Sequence, residues 1–194
     1  MSKLTAFKKH IKAGKTYRRA DLAQWSTSVD RHIKALVDDG TLKKLSTGVY
    51  YYPKQSTFGA LPADDVDLVR TFLKDDDFLV YTLNDYNKLG VGTTQLYNKR
   101  IVYNHRRHGK FKLGGKEFHF HSKPKYPKEI TEEFLLVDLV NNVHLLAEDT
   151  NLVLENALVK AKSLDRNRFK RSVKEYGKLR TKKIFAPLLE QVSV

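Results

Sequence analysis

Residues 17–53, YRRADLAQWSTSVDRHIKALVDDGTLKKLSTGVYYYP, decide how this chain is read. Arg18 to Ala23 reads as a short helix, too short to stand alone and held by Leu22, and Gln24-Trp25-Ser26 follows as a turn. Beyond the turn, Val29, Ile33, Leu36 and Val37 recur at i, i+4, i+7 and i+8 as a single apolar stripe, with Ser26 or Thr27 as N-cap and Gly40 as the stop. On a wheel of about 100° per residue the opposite face carries Thr27, Arg31, Lys34 and Asp38, flanked by Ser28 and Ala35, and no large apolar side chain. Thr41 to Leu45 and Val49 to Tyr52 alternate as two strands around Ser46-Thr47-Gly48, and Pro53 ends the pairing. Helix, turn, helix with a bare polar face and basic hairpin are the parts of a winged helix-turn-helix, in which one helix enters a DNA major groove and the hairpin lies beside it.

Outward from this stretch, Leu4, Phe7 and Ile11 predict a helix over Lys3 to Ala13, stopped by Gly14, and Lys15-Thr16-Tyr17 reads as extended. Lys54 to Pro62, KQSTFGALP, is polar and broken by Gly and Pro. It marks the boundary between a winged helix-turn-helix unit over residues 1–55 and a second unit over residues 63–194. The second unit predicts helices at Ala63–Lys74 and Leu83–Leu89, the latter ended by Gly90. Strands are expected at Phe78–Tyr81, Lys99–Asn104, Lys110–Leu113 and Lys116–His121, the last two joined through Gly114-Gly115. Thr131 caps a strongly apolar helix, EEFLLVDLVNNVHLLAE, expected to be the hub of the core. Helices at Asn151–Ser163, Leu164–Tyr176 and Thr181–Gln191 complete an α+β chain with a small antiparallel sheet and C-terminal helices.

The net charge of +14 favours a polyanionic partner. It is concentrated at the two ends: residues 1–62 carry 12 Lys/Arg against 4 Asp/Glu, residues 159–183 carry 11 against 2, and residues 63–158 carry 13 against 15. The chain has no Cys, which excludes disulfides and thiolate metal sites and fits a reducing cytosol. No apolar run is long enough for a signal peptide or a spanning helix, so a cytoplasmic protein with no membrane partner is expected.

Three segments together carry a resemblance: LVDDGTLKKLSTGVYYYP (36–53), FLVYTLNDYNKLGVGTTQLYNKRIVYN (78–104) and PKEITEEFLLVDLVNNVHLLAED (127–149). In this order the chain resembles the AbiEi-like antitoxins of bacterial abortive-infection, type IV toxin–antitoxin operons. The resemblance implies a DNA-binding antitoxin that represses its own operon through the winged helix and neutralises a nucleotidyltransferase-like toxin through the C-terminal part. Carried onto this chain, the DNA-contacting positions are Ser26, Thr27, Ser28, Arg31 and Lys34 on the recognition helix and Lys43, Lys44, Ser46 and Thr47 on the wing. Arg18 and Arg19 are added as flanking cations. The operator is expected to be double-stranded DNA with an inverted repeat bound by two copies.

The basic helix near the C-terminus sets Phe169, Val173 and Tyr176 on one face and Arg166, Arg168, Lys170, Arg171, Lys174 and Lys178 around the rest. Such a helix can follow phosphates, including those of RNA, dock an acidic protein surface, or simply be an amphipathic helix with a solvated back. An RNA-binding or RNA-processing accessory protein and a protein-docking winged helix are therefore the rival readings. His105, His108, His119 and His121 lie close in sequence, but without Cys and with only Glu117 beside them no metal is expected. Asp64, Asp65 and Asp67 read as helix N-terminal acids, Asp75-Asp76-Asp77 as a loop, and Gly90-Val91-Gly92-Thr93-Thr94 follows a helix and lacks the Lys of a phosphate loop. No cofactor and no catalytic residues are expected.

Overall fold

The computed structural model describes residues 3–190. In the first third, helices α1 (Lys3–Lys8), α2 (Arg19–Ala23) and α3 (Val29–Asp38) pack with strands β1 (Thr16–Arg18), β2 (Lys43–Ser46) and β3 (Val49–Tyr51), which form an antiparallel sheet in the order β1-β3-β2. The stripe on α3 buries as its spacing requires, Val29, Ile33 and Leu36 closing against Phe7, Ile11, Leu22 and Leu42. Three details differ from the sequence expectation. First, α1 ends at Lys8 instead of Ala13, because the following turns close through three-residue bonds and the Lys12 N–H donates to the Tyr17 hydroxyl at 2.7 Å, which removes it from helical pairing. Second, the N-cap of α3 is Ser28, neither Ser26 nor Thr27; the Ser26 hydroxyl accepts from the Ser28 N–H at 3.0 Å and meets His32 Nδ1 at 2.9 Å. Third, β2 runs to Ser46 with its register broken between Lys44 and Ser46, so Leu45 leaves the ladder.

Residues 54–62 hold a short hairpin of β4 (Gln55–Ser56) and β5 (Gly59–Ala60), with Phe58 fully exposed at its tip. Around it the two parts of the chain are joined directly. Tyr51 of β3 buries its ring with Leu68, Val69, Leu73, Phe118 and Phe120, its hydroxyl donates to the Leu61 carbonyl at 3.0 Å, and Leu45 packs on the same cluster. The Gly114 N–H donates to the Leu45 carbonyl at 3.1 Å, and the Thr16 hydroxyl reaches Asp67 Oδ2 at 2.9 Å on α4 (Asp65–Leu73).

The second sheet contains β6 (Phe78–Thr82), β7 (Arg100–Asn104), β8 (Gly109–Leu113) and β9 (Lys116–Ser122) in the order β6-β7-β9-β8. Two antiparallel pairs are joined by a parallel one, β7 with β9. The chain leaves β7 and jumps two strand spacings, about 10 Å, to the far edge, a distance that residues 105–108 can span. Buried Asn104 stitches that jump, its Oδ1 accepting from the Arg106 and Arg107 N–H groups at 2.8 and 2.6 Å. Gly114 and Gly115, both at positive φ (57° and 82°), close the β8–β9 hairpin in the conformation that matches strand twist. Leu83–Leu89, expected as an α-helix, is the tighter 3-10 form, opened by a Thr82–Asp85 capping box and ended by Gly90.

One sheet face presents Val102, Phe118 and Phe120 to α4 and Tyr51; the other presents Leu79, Tyr81, Ile101 and Tyr103 to α5 (Glu132–Asn142). Helix α5 starts at Thr131, whose hydroxyl accepts from the Phe134 N–H, and is buried without a break from Phe134 to Asn141. It is wrapped by α6 (Thr150–Ala161), α7 (Arg166–Tyr176) and α8 (Leu179–Glu190), the expected terminus of the last at Gln191 lying outside the described residues. Asn141 locks the α7–α8 corner onto α5, donating to the Tyr176 carbonyl at 2.9 Å and accepting from the Lys178 N–H and the Thr181 hydroxyl at 2.8 and 2.7 Å. One turn earlier, Asp138 accepts the hydroxyls of Tyr86 and Tyr103, each at 2.6 Å, and of Tyr81. Burial first, and then the Asp138 charge, push all three phenols well above their ordinary range, so they remain donors.

Removing the shared acceptor leaves the three buried hydroxyls with only one another and the Asn142 amide as partners. Asp138→Ala is therefore expected to lower the unfolding free energy by about 3–5 kcal/mol, and Tyr103→Phe by about 1.5–3 kcal/mol. Urea denaturation midpoints at constant m-value check both; a neutral Asp138→Ala would show that the carboxylate is dispensable to the core.

Candidate nucleic-acid interface

The face of α3 opposite its buried stripe is open. Arg31 and Lys34 are exposed on it and, among the described residues, make no hydrogen bond or ion pair; Thr27 and Asp38 are exposed beside them. On the hairpin, Lys43, Lys44 and Thr47 are exposed and Ser46 is half-buried. The turn is pinned to α2 by the Arg19 N–H, which donates to the Gly48 carbonyl at 2.9 Å, so the hairpin and the helix pair hold a fixed relation.

Arg18 and Arg19, read from the sequence as flanking cations, are instead engaged within their own unit. Arg18 makes a bidentate pair with Asp21, at 2.8 and 2.7 Å, and Arg19 another with Asp30, at 2.6 and 2.5 Å. They orient α2 and the start of α3. What the sequence reading missed is a cleft of about 510 Å³ between α1 and the start of α3, bordered by Lys3, His10, Trp25, Thr27 and Ser28. The His10 ring stacks on Trp25 with centroids 5.3 Å apart and planes 6° from parallel. Lys3 opens α1 and His10 lies in the turns that follow it, a stretch the sequence marks only by its apolar spacing, so nothing in the pattern singled them out. The cleft combines two cationic or protonatable groups with the N-terminus of a ten-residue helix, an arrangement suited to a backbone phosphate.

The basic C-terminal residues divide into two groups. Arg166, Arg168, Lys170, Arg171 and Lys174 are exposed along α7, whose Phe169 and Val173 bury as expected. Arg166, Lys170 and Lys174 rim a groove of about 770 Å³ between α7 and α8 together with Lys182 and one acid, Glu190, over Val173, Ala186 and Leu189. Lys178 turns away from that surface and donates to the Asn141 carbonyl at 3.1 Å.

Other polar groups have local partners. Asp64 caps α4, Asp65 bridges Arg100 and Lys116, and Asp75, Asp76 and Asp77 pair with Arg106, Arg70 and His105. In the Gly-rich loop the Thr94 and Gln95 N–H groups both donate to Glu148 Oε1 at 3.1 Å, so a carboxylate of the chain itself occupies the position a phosphate would take. His119 pairs with Glu117, and His121 meets His108 at a ring distance of 5.6 Å. Among the described residues no group of three or more His, Asp or Glu could hold a metal ion, and no helix is long and apolar enough to cross a membrane. No family model, curated protein or solved structure matches the chain.

Hydrogen bonding by the Arg18 guanidinium holds Asp21 below the usual carboxylate range. The stabilisation is therefore complete above the unfolded-state pKa of about 4 and is lost as pH falls through the lower folded value. With both side chains about a third exposed, the pair contributes about 1 kcal/mol or less. Asp21→Asn is expected to lower the denaturation midpoint at pH 7 and to leave it unchanged near pH 2, as read by circular dichroism.

Proposed function

We propose that this protein is a cytoplasmic, DNA-binding antitoxin of the AbiEi-like kind, which represses its own operon and counteracts a nucleotidyltransferase-like toxin. The observation that carries the DNA half is the exposed, unpaired Arg31 and Lys34 on the face of α3 opposite the buried stripe, beside a hairpin that displays Lys43 and Lys44. The element order α1-β1-α2-α3-β2-β3, with β3 between β1 and β2, is that of a winged helix-turn-helix and supports the same reading. In this reading α3 enters the major groove. Arg31 reaches a guanine edge, Lys34, Thr27 and Ser28 approach phosphates, and Lys43, Lys44, Ser46 and Thr47 follow the adjacent backbone. Two copies on an inverted repeat supply the specificity that one helix cannot.

The toxin half draws on the groove between α7 and α8. Lys170, Lys174 and Lys182 over an aliphatic floor suit an acidic protein surface with apolar side chains at its centre. Single-stranded RNA is less well served there, since no aromatic ring borders the groove for a base to stack on.

The test is binding to the DNA upstream of the protein's own gene against unrelated duplex of equal length, at two salt concentrations. A preference that persists at the higher salt is expected. Arg31→Ala should reduce that preference by about 1–3 kcal/mol. Lys43→Ala should weaken both duplexes alike and lower the salt slope by roughly one phosphate contact. Equal losses on both duplexes for Arg31→Ala would remove it from sequence readout, and equal, salt-labile binding by the unmodified protein would leave only a polyanion surface.

A further inference from the structure

A cavity of about 400 Å³ opens where α5 ends over the second sheet, away from α3 and from the α7–α8 groove. Lys123, Lys178, His108, His121 and His144 border it beside Tyr81, Tyr103, Ser122 and Asn142, and among the described residues no Asp or Glu lines it. Asp138, hydrogen-bonded to Tyr81 and Tyr103 of the lining, has its oxygens already taken by three phenols. The half-buried Lys123 ammonium lies 4.4 Å from the centroid of the Tyr103 ring and has no carboxylate partner. Among the described residues His108, His121 and His144 make no hydrogen bond through their rings, while Lys178 donates only to the Asn141 carbonyl and Asn142. Burial depresses Lys123, opposed by the Asp138 charge and reinforced more weakly by Lys178; burial and then Lys123, His108 and His119 depress His121 against a weaker pull from Asp138. A half-buried ammonium with no ion-pair partner, set beside a second ammonium and three imidazoles, is an arrangement that a bound anion relieves.

The opposite wall is apolar. Leu83, Ile101 and the 52% exposed Leu145 supply it, and Asn142 and Ser122 add hydrogen-bonding groups to the lining. A phosphate alone would leave that wall uncovered, and the volume falls in the range of small-ligand sites.

We infer that this cavity is a binding site for a phosphate monoester carrying a flat, largely apolar body, a mononucleotide in chemical class. The phosphate lies between Lys123, Lys178 and His121, the base lies against Leu83, Ile101 and Leu145, and Asn142 and Ser122 meet the sugar. Multidentate donation from two ammonium groups and an imidazole is suited to a terminal phosphate and leaves no role for a metal.

The test is isothermal titration of the full chain with the four ribonucleoside monophosphates, ribose 5-phosphate, adenosine and inorganic phosphate. At least one mononucleotide should bind at least tenfold more tightly than ribose 5-phosphate or phosphate, and adenosine should bind at least tenfold more weakly than its monophosphate. Lys123→Met should weaken that binding by tenfold or more. His108→Gln, at an exposed position outside the core, should weaken it several-fold, and Lys112→Met, on the outer strand, should leave it unchanged. Equal affinity for inorganic phosphate and every mononucleotide would overturn the assignment of the apolar wall. No binding by any of them, or binding insensitive to both Lys123→Met and His108→Gln, would overturn the site.

Discussion

A single carboxylate, Asp138, stands where the sheet, the 3-10 helix and the C-terminal helices meet. Its oxygens gather hydroxyls from three rings that enter along β6, β7 and the 3-10 helix. A charge at this depth tolerates neither a shift of α5 along the sheet nor a rotation about its axis, since either would strand donors in an apolar layer. The surrounding contacts of Leu135, Leu136, Leu139 and Val140 are non-directional and would accept several settings of the helix. The polar cluster selects one of them. Asn141 extends the same selection to the α7–α8 corner, so the basic groove on one side and the cationic cavity on the other inherit their geometry from the same helix.

The chain folds as two cores on opposite faces of one sheet, with a third core in the N-terminal region. The first and last of these are linked through the middle one, because Tyr51 belongs by its backbone to the N-terminal sheet and by its ring to the core under α4. The bulge at Leu45 supplies a second link, turning one side chain and one carbonyl of the hairpin toward the β8–β9 turn. A Cβ on Gly114 would come within 3.3 Å of Leu45, so this approach depends on glycine both for its positive φ and for its lack of a side chain.

What could be read in advance was whatever is encoded over a few neighbouring residues. The α3 stripe, the Thr131 cap and the Gly114-Gly115 turn each state their geometry locally; α3 and the hairpin stand near their expected bounds, while α5 starts at its expected cap but ends at Asn142 instead of Glu148, passing into a 3-10 turn over Val143–Leu145. What could not be read depends on partners far apart in sequence. The Tyr17 hydroxyl that ends α1 early comes from beyond the turn, and the phenols around Asp138 lie 35 to 57 residues away from it. The parallel pairing of β7 with β9 follows from packing, not from any pattern within either strand. For the site, the spacing exposed Arg31 and Lys34, while the pairing of Arg18 with Asp21, three residues on, was legible in principle as a helical neighbour pair. The Arg19–Asp30 pair joins two helices, and the cationic cavity draws its wall from β9, the loop before β8 and the segments after α5 and α7; neither is visible in a linear reading.

The stacking of His10 on Trp25 has an optical consequence. Trp25 is the chain's single tryptophan, and it borders the cleft at the start of α3, far from the tyrosine cluster around Asp138. Its emission is therefore a built-in reporter on that cleft alone. An anion that settles there and moves the His10 ring off the indole changes what the indole touches, and with it the emission. The protein thus carries its own label at the place where docking on α3 would first be felt.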